Sequence, residues 1–181
     1  MLNTVNPIAR LSGYFWHNPL ALAFLMSALL LAGAYSFEYI GGYVPCNLCW
    51  PQRYAHMAIL GLSGAGLLAK KYDLSLQNFL PWAVVIALDV SVVFAGYHAG
   101  VEQKWWQGPD TCTAGALNPE ADMGSLFDSM METNLVLCDE IAWQMFGLSM
   151  AGYNVLISLL VGLFVTLAII FRMRRDYAHT S

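Results

Sequence analysis

Four apolar stretches, each too long and too poor in charge for an element of a soluble domain, decide what this chain can fold into. Pro19 to Phe37 and Phe146 to Phe171 carry no acidic or basic residue, Tyr54 to Ala69 contains His56, and Phe79 to Val101 is interrupted only by Asp89 and His98. Crossing a bilayer core as a helix takes about 20 apolar residues, and a helix satisfies its own backbone polar groups inside lipid. Three stretches reach that length. The second does so by drawing in Cys49 to Arg53, which sets Arg53 near one membrane surface, where its guanidinium can reach the headgroups. Charged residues make up 11% of the chain, against about 25% in soluble domains. The expected fold is therefore an all-α membrane protein, a single membrane domain over residues 1–181. It is a bundle of four transmembrane helices with spans at about 19–38, 50–69, 79–101 and 146–171 and outer loops at about 39–49 and 102–145.

The basic residues orient the bundle. Arg10, Lys70, Lys71, Arg172, Arg174 and Arg175, six of the eight, fall before the first span, between the second and third, or after the fourth. Loops rich in Lys and Arg stay in the cytoplasm, so both termini are expected there. The 39–49 and 102–145 connections then face the opposite compartment, in a bacterium the periplasm beyond the inner membrane. A net charge of -4 gives no sign of nucleic-acid binding. A competing reading of the first span starts from Arg10, its apolar run and Ala32-Gly33-Ala34, which together resemble a secretory signal with a small-residue cleavage site. The apolar run continues to Phe37, long for a signal core.

All four cysteines, Cys46, Cys49, Cys112 and Cys138, fall on the non-cytoplasmic side of this topology, where disulfides persist. Cys46 and Cys49 form a Cys-x-x-Cys pair whose sulfurs can meet with little backbone movement. Pro51 is expected at the first position of the second helix, because a residue preceding proline avoids helical angles. Cys49 then lies at the positive end of the helix dipole with Arg53 one turn on, an environment that favours a reactive thiolate. Cys112 and Cys138 bracket 25 residues. A bond between them would close a loop long enough to stabilise by roughly 3 kcal/mol or more, so a purely structural role stays open. Zinc held by four cysteines is a further alternative, although such sites usually show two paired knuckles and here there is one.

Between Cys112 and Cys138, Met123, Leu126, Phe127, Met130 and Met131 recur at helical spacing among Asp122, Asp128 and Glu132. That is the pattern of a short amphipathic helix, able to lie in the membrane interface. It would keep Cys138 near Cys46 and leave Cys112 accessible to a soluble partner.

These residues together resemble the disulfide bond formation protein B (DsbB) family, membrane enzymes that reoxidise a periplasmic thioredoxin-like oxidase, DsbA, and pass the electrons to a quinone. The resemblance covers nearly the whole chain. It rests on Pro45-Cys46-Asn47-Leu48-Cys49 leading through Gln52-Arg53 into a span, and on Tyr97-His98 closing the third span. Gly108-Pro109 before Cys112, Cys138-Asp139-Glu140, Trp143 and Gly147-Leu148-Ser149-Met150-Ala151 complete it. The resemblance implies that reduced DsbA attacks a Cys112–Cys138 disulfide at Cys112 and that exchange carries the electrons to Cys46–Cys49. Cys49 then delivers them to ubiquinone or menaquinone, with Arg53 steadying the thiolate and the developing quinone charge. His98, Met150 and His56 are the remaining candidates for the quinone site, a packing role being equally open for His56. Asp89, ionisable and in mid-span, is a functional candidate by position alone. Two other functions fit a membrane protein with cysteine pairs: a thiol-reducing electron carrier, which needs a cysteine within or below the membrane, and a non-enzymatic protein with structural disulfides.

Overall fold

The computed structural model describes residues 7–109 and 137–180. Helix α1 (Pro7–His17) leads into α2 (Pro19–Tyr39), α3 (Cys49–Lys71), a 3-10 turn at Ser75–Asn78 and α4 (Leu80–Glu102). A hairpin of β1 (Gln144–Met145) and β2 (Leu148–Ser149) precedes the last helix, α5 (Met150–Thr180). Helix α2 packs on α3, α3 on α4, α4 on α5 and α5 back on α2, which closes a four-helix bundle. Its core draws on all four: Leu20 and Ala23 from α2, Ile59 from α3, Val84, Val85 and Leu88 from α4, Val161 and Val165 from α5. Gly66 lets α3 approach α2, since a methyl group there would lie 2.5 Å from Leu20 Cδ1.

Among the described residues, three helices are long and apolar enough to cross a membrane: Pro19–Tyr39, Leu80–Glu102 and α5 over Met150–Ala178. Helix α3 is as long as α4 but carries Gln52, Arg53, His56, Lys70 and Lys71, which lower its apolar content. It keeps its place in the bundle by turning Gln52, Arg53 and His56 inward, where all three are buried.

The structure corrects two expectations. Helix α3 begins at Cys49, two residues before Pro51. Proline is accommodated in this first turn because the first four helical N–H groups have no partner in the helix. The fourth span starts at Met150 rather than at residue 146. Residues 144–149 form a hairpin in which Gln144 pairs with Ser149, and Phe146 (φ 50°) and Gly147 (φ 77°) make the turn. Two successive positive φ angles are what a two-residue hairpin of matching twist requires. Asp89, a candidate by position alone, is exposed on the outer face of α4. Met123 to Glu132, read as an amphipathic helix, and Cys112 lie outside the described residues. Ala32-Gly33-Ala34 is continuous helix within α2.

At the end where Lys70 and Arg172 lie, Lys70 Nζ donates to the His17 carbonyl (3.1 Å) and Asn18 Oδ1 (2.6 Å), and Arg172 donates to the same carbonyl. These bonds tie the α1–α2 junction to α3 and α5. The chemistry gathers at the opposite end.

Candidate redox site

Three elements supply the thiols and their surroundings. The connection after α2 delivers Cys46, the first turn of α3 delivers Cys49, Gln52 and Arg53, and the last turns of α4 deliver His98 and Glu102. The Cys46 and Cys49 sulfurs lie 2.9 Å apart. Cys46 Sγ is also 3.5 Å from His98 Nε2. Cys138, 0% exposed, is buried in one cluster with Cys46 and Val101, against which Cys49 packs. His98 further hydrogen-bonds the Cys138 backbone. Two cysteines distant in sequence thus meet at one point beside a histidine.

The two thiols of the pair are unequal. The hydrogen bond to Cys49 pushes the Cys46 thiol above its ordinary range, and burial adds to that. The same bond holds Cys49 below its ordinary value, burial opposes it, and the Arg53 charge helps it. A thiolate at Cys49 also stands at the N-terminal, positive end of the α3 dipole.

Arg53 is 7% exposed and pairs with the Glu38 carboxylate of α2. Its guanidinium lies 4.9 Å from the Tyr35 ring centroid and 5.2 Å from that of Trp50, and it reaches the Ala34 carbonyl at 3.4 Å. These partners fix a side chain that would otherwise extend toward the headgroups. Glu102 accepts a hydrogen bond from Ser149 at the start of α5 and stands 3.7 Å from His98.

A cavity of about 330 Å³ opens beside this cluster. Its polar end is lined by Cys46, Cys49, Arg53, His56, His98 and Asn154, and its walls by Leu29, Leu30, Leu31, Phe37 and Ile157, with Met150 also on the lining. Arg53, His98, Met150 and His56, the candidates read from the sequence, therefore converge on one cavity. Cys138 packs behind Cys46, and its neighbour Leu137 contributes to the lining. Ligand atoms of Cys46, Cys49 and His98 all lie within 4.8 Å of one another, three ligands of the kind a soft metal takes.

A family model for the disulfide bond formation protein DsbB matches residues 17–168. The chain belongs to the DsbB family. Relatives agree: it is 34% identical over 155 residues to disulfide bond formation protein B of Marinobacter nauticus, covering 81% of this chain and 89% of that protein. It is 29% identical over 161 residues to the protein of the same name from Actinobacillus pleuropneumoniae, covering 86% of each. No solved structure matches. DsbB membership carries disulfide bond formation and disulfide oxidoreductase activity with it, in a helical bacterial membrane protein.

Sequence reasoning missed part of this DsbB-family site. Glu38, the partner of Arg53, and Glu102, beside His98, were not among the candidates. Asn154 passed unnoticed, although a polar amide inside an uncharged span is a signal in itself, because lipid leaves such a group no partner.

Proposed function

We propose that this chain oxidises a periplasmic DsbA-type dithiol protein and passes the electrons through its two cysteine pairs to a membrane quinone. In this reading α3 also crosses the membrane, as the second of four spans, both termini are cytoplasmic, and all four cysteines face the periplasm at the inner membrane. The observation that carries it is the arrangement of three sulfurs: Cys138 is buried against Cys46, while Cys49 borders the cavity that Arg53 also lines.

Thiol–disulfide exchange proceeds by attack of a thiolate on a disulfide sulfur. The partner's thiolate attacks Cys112 of a Cys112–Cys138 disulfide, and the electron pair leaves on Cys138. Cys138, beside Cys46, then attacks Cys46 of a Cys46–Cys49 disulfide, forming a Cys46–Cys138 bond and releasing Cys49 as thiolate. The partner's second thiolate resolves its bond to Cys112, leaving oxidised partner and a Cys112 thiolate, which attacks Cys138 to re-form Cys112–Cys138 and release Cys46. The lowered pKa of Cys49 makes it the better leaving group of its pair. Arg53 faces that charge at the cavity's edge.

The cavity fits a quinone. It offers apolar walls for a ring and an isoprenoid tail, and a polar end where Arg53, His56 and His98 can meet carbonyl oxygens. A bound quinone, ubiquinone or menaquinone, supplies an acceptor for two electrons and two protons. Around it, Arg53 provides positive charge that needs no reorganisation, and the apolar walls exclude water.

Purified protein in detergent, given reduced DsbA-type partner and a soluble quinone, is expected to consume the quinone absorbance catalytically. Partner oxidation limited to one equivalent per chain, with quinone unchanged, would overturn this reading.

A further inference from the structure

A chain of buried hydrogen bonds runs from the bundle interior to Cys46. Gln52 Nε2 lies 3.0 Å from the Leu48 carbonyl oxygen, which can only accept, so the amide nitrogen of Gln52 is fixed on that side. The same nitrogen lies 2.8 Å from His98 Nδ1, which must then be the bare, accepting nitrogen of the ring. The proton of a neutral His98 is therefore on Nε2, the atom 3.5 Å from Cys46 Sγ. On the other side, Gln52 Oε1 accepts from Asn154 Nδ2 at 2.8 Å. That turns Asn154 Oδ1 toward His56 Nε2 at 2.8 Å, and Ser158 Oγ donates to it at 2.9 Å. His56 Nδ1 in turn meets Ser27 Oγ at 3.2 Å. From His56 through Asn154 and Gln52 to His98, every donor points the same way, and the last N–H, on Nε2, faces Cys46 Sγ, with the Cys138 backbone also bonded to the His98 ring.

We infer that Gln52 and Asn154 are positioning residues that lock His98 in its Nε2–H tautomer, so that it donates to the Cys46 sulfur whenever that sulfur carries negative charge. This deepens the proposed relay and rests on it for its purpose, though the tautomer can be measured without either redox partner. The lock resides in amide polarity. Gln52 can present a donor to His98 only because Leu48 and Asn154 take up its remaining donor and its acceptor. A histidine free to exchange tautomers would spend part of its time with a bare Nε2 facing Cys46, repelling a thiolate there. Glu102, 3.7 Å from the same Nε2, and the Cys138 backbone carbonyl are the competing acceptors; the bond to Ser149 holds Glu102 aside, and a neutral carbonyl yields to a charged sulfur.

The test inverts the polarity of one link. In Gln52→Glu the carboxylate still accepts from Asn154 but can only accept from His98, which forces the proton to Nδ1. Nitrogen NMR of histidine-labelled protein in nanodiscs, without quinone or partner, is expected to show His98 protonated at Nε2 in the wild type and at Nδ1 in Gln52→Glu. His56, whose contacts with Asn154 and Ser27 are untouched, should keep its own tautomer and report an intact bundle. If Gln52→Glu fails to fold, Gln52→Met replaces it and should yield a mixture of His98 tautomers. In a Cys49→Ser background, Cys46 alkylation at neutral pH should be roughly fivefold slower with either Gln52 variant, as loss of one net hydrogen bond predicts. An unchanged His98 tautomer, or unchanged Cys46 reactivity after a tautomer switch, would overturn the inference. Normal tautomer behaviour in a protein that never reduces quinone would instead sink the relay and leave the lock standing.

Discussion

The Arg53 guanidinium on α3 is paired with the Glu38 carboxylate on α2, so the cation beside Cys49 is anchored by a residue from another helix. Removing Arg53 alone has two effects that must be separated: it takes charge from the cavity, and it leaves Glu38, 20% exposed at its side chain, unpaired. Breaking a buried ion pair in this way costs about 3–5 kcal/mol. Arg53→Ala is expected to slow quinone reduction on the order of a hundredfold, while exchange between the partner and Cys112–Cys138 persists. Glu38→Gln added to Arg53→Ala should recover stability without recovering quinone reduction. Quinone absorbance and single-turnover partner oxidation report the two steps separately, and wild-type quinone kinetics in the double variant would reduce Arg53 to a structural role.

Cys138→Ser leaves Cys112 a lone thiol, which can attack the disulfide of oxidised partner but has no Cys138 to complete the exchange. A mixed disulfide through Cys112 to a periplasmic thioredoxin-like protein should accumulate and appear on non-reducing gels. A bond trapped through Cys46 instead would reverse the order of the relay.

The inequality of the Cys-x-x-Cys thiols gives a pH dependence with a definite sign. Cys49 has a lowered pKa, so its thiolate is present at pH values where an ordinary thiol is protonated and is lost only as the pH falls through that lowered value. Cys46 is raised and stays protonated across the same range. Alkylation of the reduced protein should therefore modify Cys49 first and persist to lower pH than for an ordinary thiol. Mass spectrometry of partially alkylated protein identifies the site, and preferential modification of Cys46 would contradict the assignment.

Gly100 marks a close approach near the redox end of α4. A Cβ there would lie 2.0 Å from the Trp106 indole, which is stacked on Tyr97 and donates to the Tyr97 carbonyl at 3.0 Å. Gly100→Ala should displace Trp106 and cost about 1–3 kcal/mol, as overpacking does. A lowered thermal midpoint with altered tryptophan fluorescence is expected, and a midpoint equal to wild type would show that the indole moves freely.

In the proposed topology, with all four cysteines outside, a membrane-impermeant thiol reagent should label reduced protein in intact spheroplasts. A requirement for permeabilisation would invert the topology and remove the periplasmic partner.

What the sequence determined by itself is the part of this protein governed by local pattern. Apolar runs of bilayer length specify helices, and the spacing of Cys46 and Cys49 lets their sulfurs meet without help from the rest of the chain. The family resemblance, carried by contiguous motifs, was legible for the same reason and is matched over residues 17–168. Helix ends were less legible: Pro51 pointed to a later start for α3, and the apolar Phe146 disguised a hairpin turn as span, because hydrophobicity does not encode positive φ. Only the tertiary structure decided which polar groups meet. Glu38 with Arg53, Asn154 with Gln52 and His56, and Cys138 with Cys46 each join different elements. The energy of such contacts depends on burial and on partner geometry, and neither exists until the helices have packed.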